Sequence, residues 1–162
     1  MRDMVLSLLA VGAVAAVVYV FIPHSGGDPV TTVPYTTELA TARRAAPYPI
    51  VAPEGLPDQW RATSVRYNAH DNGHATWHLG FITPTGSYAA VEQSDGTPGA
   101  LVQTQVEGGR PDGSALVGGQ AWERYQGDHY RALVQGSGDA VTMVIGSAPY
   151  KELAQLAHAL HL

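Results

Sequence analysis

Two stretches of alternating polarity, Arg61 to His70 (RATSVRYNAH) and Thr76 to Ile82 (TWHLGFI), flank the turn residues Asp71-Asn72-Gly73 and leave the chain little local choice. Alternation marks a strand with one buried face, and Asn-Gly between two such runs marks a hairpin. A two-residue turn would pair Val65 with Gly80 and Tyr67 with His78, which mixes the faces. A three-residue Asp71-Asn72-Gly73 loop, with Gly73 left-handed, pairs Val65 with Leu79 and Tyr67 with Trp77 instead. Val65, Tyr67, Ala69, Ala75, Trp77, Leu79 and Phe81 then share one face. A slip of one residue would turn all of them outward, so the pattern selects the second register.

The same reasoning applies to Pro84-Thr85-Gly86, which leads into Ser87 to Ser94 (SYAAVEQS). A three-residue loop pairs Phe81 with Ala89 and Leu79 with Val91. On the opposite face His78 falls between Arg66 and Glu92, a row of complementary charges. Such rows contribute about 0.2–1 kcal/mol per pair as plain cross-strand contacts. The alternative is a recognition patch or a pH-responsive contact, which makes Arg66, His78 and Glu92 the candidate partner-facing residues.

Further along, Thr97-Pro98 can cap and start a helix reaching Val106. Strands are expected at Ala115 to Val117, Gln120 to Tyr125, His129 to Gln135 and Ala140 to Ile145. Ser147 can cap a last helix in which Tyr150, Leu153, Leu156, Ala157 and Leu160 form a stripe. A stripe of this kind needs a sheet to lie on, so the expected fold class is α+β, an antiparallel β-sheet with a C-terminal helix packed on one face.

Residues 46–60, APYPIVAPEGLPDQW, hold four prolines within eleven positions, Pro47, Pro49, Pro53 and Pro57. Each fixes φ near about −65° and extends the residue before it, so this is one stiff path ending at Trp60. Ile50, Val51 and Leu56 are costly to leave in water. The strap is therefore expected to staple the edge of the domain rather than serve as a proline-rich ligand. Before it, Thr36 to Ala46 reads as a short helix capped at Thr36 or Thr37.

Met4 to Ile22 is a run of nineteen residues without a charge. As a helix it would cover about 28 Å, close to the roughly 30 Å hydrocarbon core, so an N-terminal transmembrane helix is expected. The competing reading is a cleaved signal peptide, for which Ala13-Val14-Ala15 offers a cleavage pattern. Seven apolar residues continue past it and favour the anchor, and Arg2 favours a cytoplasmic N-terminus. The resulting division is 1–23 stub and anchor, 24–46 tether and short helix, and 47–162 an extracytoplasmic domain.

With 14 acidic against 9 basic residues the chain carries a net charge of −5, and no basic face is clustered as phosphate binding requires. Nucleic acid is not an expected partner. The chain has no cysteine, which excludes disulfides, thiolate metal sites and a cysteine nucleophile. His70, Asp71, His74 and His78 lie within nine residues, but in the derived register His78 sits about 13 Å from the His70 and His74 pair. One ion cannot collect all three, so no metal site is assigned, and no cofactor is implied. No nucleophile or nucleotide motif is present, hence no catalytic residue is assigned and the chain is read as not an enzyme.

The segments RDMVLSLLAVGAVAA, ARRAAPYPIVAPEGLPDQWRATSVRY, WHLGFITPTGSYAAVEQSD and GQAWERYQ together resemble the actinobacterial domain of unknown function 4245 family. The resemblance implies a single-pass membrane protein of uncharacterised activity, with no catalytic residues to carry over. In layout alone, Gly55-Leu56-Pro57 leading to Trp60 and a closing helix at Tyr150 to Leu160 is similar to exported domains that accompany anti-sigma regulators. The expected function is a non-enzymatic module at the outer face of the plasma membrane that binds an envelope protein or lipid. The alternative is a binder of a small apolar or lipid-like ligand between sheet and helix, in a cavity lined by Trp77, Phe81 and the last helix.

Overall fold

The computed structural model describes residues 11–12 and 30–162. The apolar run from Met4 to Ile22, apart from those two residues, and most of the tether lie outside the described residues. Among the described residues no helix is long and apolar enough to cross a membrane.

The chain enters through helix α1 (Thr36–Ala45), strand β1 (Ala52–Pro53), β2 (Arg61–Asp71), β3 (His74–Ile82) and β4 (Tyr88–Ser94). Helix α2 (Pro98–Gln105) follows, then β5 (Arg110–Val117), β6 (Gln120–Gln126), β7 (Arg131–Ser137) and β8 (Ala140–Gly146). Helix α3 (Tyr150–His158) and the short β9 (Leu160–His161) complete it. Seven strands form one antiparallel sheet in the order β2-β3-β4-β8-β7-β6-β5, and β1 pairs with β9 separately. The α+β class with a C-terminal helix on an antiparallel sheet is thus the observed one.

Both hairpin registers match the pattern-based derivation: Val65 faces Leu79, Tyr67 faces Trp77, Leu79 faces Val91 and Phe81 faces Ala89. The first turn reaches that register by another route. Asp71 pairs with His74, so the loop is only Asn72-Gly73, with φ of 52° and 86°, and an irregularity between Asn68 and Asp71 absorbs the odd residue. Two successive positive φ values suit the twist of a hairpin, which is why the strand takes the bulge and the turn stays short. Ala69, expected on the core face, is exposed at that bulge.

Helix α3 lies on one face of the sheet. Trp77, Leu79, Val91, Leu133, Val144, Leu153 and Leu156 are fully buried there, and Phe81 nearly so. The cavity expected between Trp77, Phe81 and the last helix is therefore filled by side chains. Two details of α3 differ from expectation. Ser147 does not cap it but accepts the Tyr88 N–H at 3.1 Å, and Leu160 leaves the helix to pair with Pro53. Arg124 of β6 sits 3.9 Å over the Tyr150 ring and binds Asp112 at 2.7 Å, tying the start of α3 to the sheet.

The second face is not bare. Leu101, Val102 and Val106 cover Ala90, Ala132, Val134, Val141, Met143 and Ile145, with Thr97 capping α2 through the Ala100 N–H. Only one covered face was expected. Unbroken apolar runs on β7 (Ala132-Leu133-Val134) and β8 (Met143-Val144-Ile145) explain the second layer: both faces of these central strands are apolar, so both must be buried.

The proline strap crosses a face rather than an edge. Tyr48 and Ile50 are buried in the α3-side core, and the Tyr48 hydroxyl donates to the Ala75 and Gln93 carbonyls at 3.0 and 3.2 Å. The Val51 N–H donates to the Gln93 side chain at 2.9 Å, and that side chain donates to the Pro49 carbonyl. Gln93 lies on β4, an interior strand, so the strap runs over the sheet. It ends with Trp60 edge-on to Phe81, while Ala42 of α1 reaches the same core.

Candidate functional site

An eight-residue helix is about 12 Å long and 10 Å wide, whereas seven strands about 4.8 Å apart span roughly 29 Å. Helix α2 sits over β7, β8 and Ala90 of β4 and cannot also roof β2, β3 and the rest of β4. What remains open is a cleft of about 470 Å³, floored by Arg66, Thr76, His78, Tyr88 and Glu92 and walled by Leu101 and Gln105 of α2 and by Tyr130. The three candidate residues named from sequence all line it.

Their register is as derived, with Arg66 opposite His78 and His78 opposite Glu92. Their bonding is not a simple row. His78 Nδ1 lies 2.5 Å from Glu92 Oε1, and His78 Nε2 lies 2.8 Å from the hydroxyl of Ser64. Arg66 is exposed, and its guanidinium holds no ion pair or hydrogen bond among the described residues. A carboxylate can only accept from the ring, so Nδ1 carries the proton towards Glu92. In the neutral ring Nε2 is then an acceptor, facing the Ser64 O–H.

Burial sharpens this chain. The Glu92 side chain is 11% exposed and that of His78 is 23%, so the pair is shielded but can be reached from the cleft. Tyr88 approaches the same spot from β4. Its pKa is pushed up to about 12, first by burial, then by Glu92 and Tyr130, while a hydrogen bond with Ser64 acts the other way. The Tyr88 hydroxyl therefore keeps its proton at neutral pH.

Gly80 makes room for the arrangement. It faces Ser64 across the β2-β3 ladder, and a Cβ there would collide with the Ser64 hydroxyl and come within 3.1 Å of the Tyr88 hydroxyl.

The hairpin-tip histidines are placed apart. His74 pairs with Asp95 at 3.0 Å, His70 is exposed, and Asp71 rather than His70 stands opposite His74 because of the bulge. Among the described residues no group of three or more His, Asp or Glu is arranged to hold a metal ion.

Ser64 is the residue that sequence reasoning passed over. Once Val65 faces Leu79, Ser64 must face Gly80 and lie diagonal to His78 on the polar side. That signal was available, but serine next to a strand's core residue is so common that it carries little weight alone.

A model of the family described as "Protein of unknown function (DUF4245)" matches residues 1–160. No curated protein matches the sequence.

Proposed function

The chain belongs to the DUF4245 family of proteins of unknown function, and from that premise we propose that it is a recognition module at the cell envelope. Residues 4–22 hold it in the plasma membrane with the N-terminus cytoplasmic. The folded domain outside binds an envelope protein through the open cleft beside α2. The observation that carries this reading is Arg66: a guanidinium with no partner among the described residues, at a polar cleft whose central carboxylate, Glu92, is already engaged by His78, while Asp71 at the hairpin end is bonded by Asn72. A cation left free beside a satisfied anion favours a partner group that is itself anionic and planar, a carboxylate on an exposed segment of the partner. The module needs no chemistry for this role. The rival reading, an apolar ligand between sheet and α3, draws no support from an interface packed with Trp77, Leu153 and Leu156.

The test uses the full-length tagged protein in its own membranes, crosslinked and purified beside an Arg66→Glu variant of equal thermal stability. A stoichiometric protein that accompanies the wild type and is lost from the variant supports the reading. The same set of proteins with both versions, or none with either, overturns it. Retention in the membrane pellet after an alkaline wash, with release of a version starting at residue 30, checks the anchor.

A further inference from the structure

Ser64, His78 and Glu92 come from three adjacent strands, so no linear motif could have announced them, yet their hydrogen bonds run in one direction. The Glu92 carboxylate orients the ring through Nδ1, and Nε2 faces the Ser64 hydroxyl at 2.8 Å. This is the connectivity of nucleophile, base and orienting acid by which a weak hydroxyl is activated. From this geometry we infer that Ser64, half-buried and joined to the cleft through its bond to His78 of the floor, is a reactive nucleophile and that the cleft hydrolyses activated acyl esters carrying an anionic group. The inference rests on the cleft being a binding site, and adds a chemical capability to the module.

Each neighbour has a place in the step. The Ser64 oxygen attacks the acyl carbon and its proton passes to His78 Nε2, while Glu92 stabilises the ring as it becomes charged. The C–O bond to the leaving group breaks, and the alcohol departs with the proton from Nε2. Water then attacks the acyl-Ser64 ester, giving one proton to Nε2, which returns it to the Ser64 oxygen as the carboxylic acid leaves. One water is consumed, and one acid and one alcohol are formed. The charge that develops on the acyl oxygen needs a donor. The protonated Tyr88 hydroxyl, within hydrogen-bond reach of Ser64, is the one the structure supplies. A single side-chain donor in place of paired backbone N–H groups restricts the substrate to esters with good leaving groups rather than amides. Arg66, free at the cleft, selects those with a carboxylate or phosphate on the acyl or alcohol part. Gly80 is a positioning residue, since any side chain there displaces the nucleophile.

The experiment treats the purified full-length protein with a fluorescent fluorophosphonate, maps the adduct by mass spectrometry, and follows hydrolysis of p-nitrophenyl esters with and without a terminal carboxylate. The expected result is one adduct, on Ser64, absent from Ser64→Ala. In Glu92→Gln, which keeps size and hydrogen bonding, labelling should slow at least tenfold with the melting temperature nearly unchanged. The carboxylated ester should be preferred, and Arg66→Ala should abolish that preference by raising KM. No adduct, an adduct at another residue, or equal labelling of Ser64→Ala overturns the inference. If labelling fails while Arg66-dependent partner capture persists, only the chemistry falls. If labelling succeeds and capture is indifferent to Arg66, only the recognition reading falls.

Discussion

Gln93 locks Val51 in place: its side-chain oxygen accepts the Val51 N–H at 2.9 Å while its amide group donates to the Pro49 carbonyl and to Thr142. A buried glutamine with each end satisfied binds a proline-stiffened segment that has few backbone donors to offer, because four of its residues lack an N–H.

Replacing Gln93 by Leu therefore leaves the Val51 N–H without its partner. The expected loss is about 1–3 kcal/mol, read as a lower midpoint in urea. Limited proteolysis should then cut between Pro47 and Pro57, a segment expected to resist in the parent.

Leu153 is fully buried where α3 meets the sheet. Leu153→Ala should cost about 2–5 kcal/mol in equilibrium unfolding, since rigid strands on one side and the helix on the other limit collapse into the space left. Arg66→Ala, on the exposed rim of the other face, should change stability by less than about 0.5 kcal/mol in the same assay.

Gly73 adopts a φ of 86° with open space around its Cα, so an added methyl group meets nothing but strains the backbone. Gly73→Ala should cost about 1 kcal/mol without altering the hairpin register, as judged by hydrogen exchange of the β2 and β3 amides. Gly80→Ala is the contrasting case, where the obstacle is the Ser64 hydroxyl and the readout is loss of labelling.

Tyr48, buried, and Tyr88, half-buried, make stability depend on alkaline pH. Burial raises Tyr48, with Asp95 adding to the effect, and burial raises Tyr88 to about 12. In the unfolded chain both ionise near about 10, so above that pH the folded state holds more protons than the unfolded one. Stability is fully present below about pH 10 and should decline as pH rises towards 12. Denaturant midpoints across that window should fall less steeply in Tyr88→Phe than in the parent.

The hairpin registers and the α3 stripe were legible because period and burial agree there: Val65, Tyr67, Trp77, Leu79 and Val91 alternate strictly, and only one pairing puts them together. The layer made by α2 was not, since Leu101, Val102 and Val106 follow no marked periodicity and their partners on β7 and β8 are distant in sequence. Of the candidate site, the polar row Arg66, His78 and Glu92 could be derived from register alone. Which of its members bond could not, because side-chain rotamers follow from local space. The absence of a Cβ at Gly80 lets Ser64 reach the ring, and Arg66 is left outside.

The pairing of Ala52 and Pro53 with His161 and Leu160 makes the segment before the first hairpin and the segment after the last helix hold each other. The Val33 N–H bonds the Ala62 carbonyl of β2, and the Tyr48 hydroxyl and the Gln93 side chain tie the strap to β3 and β4. Load arriving from the N-terminal side is therefore shared among three strands of the large sheet before it reaches the clasp at the chain's other end.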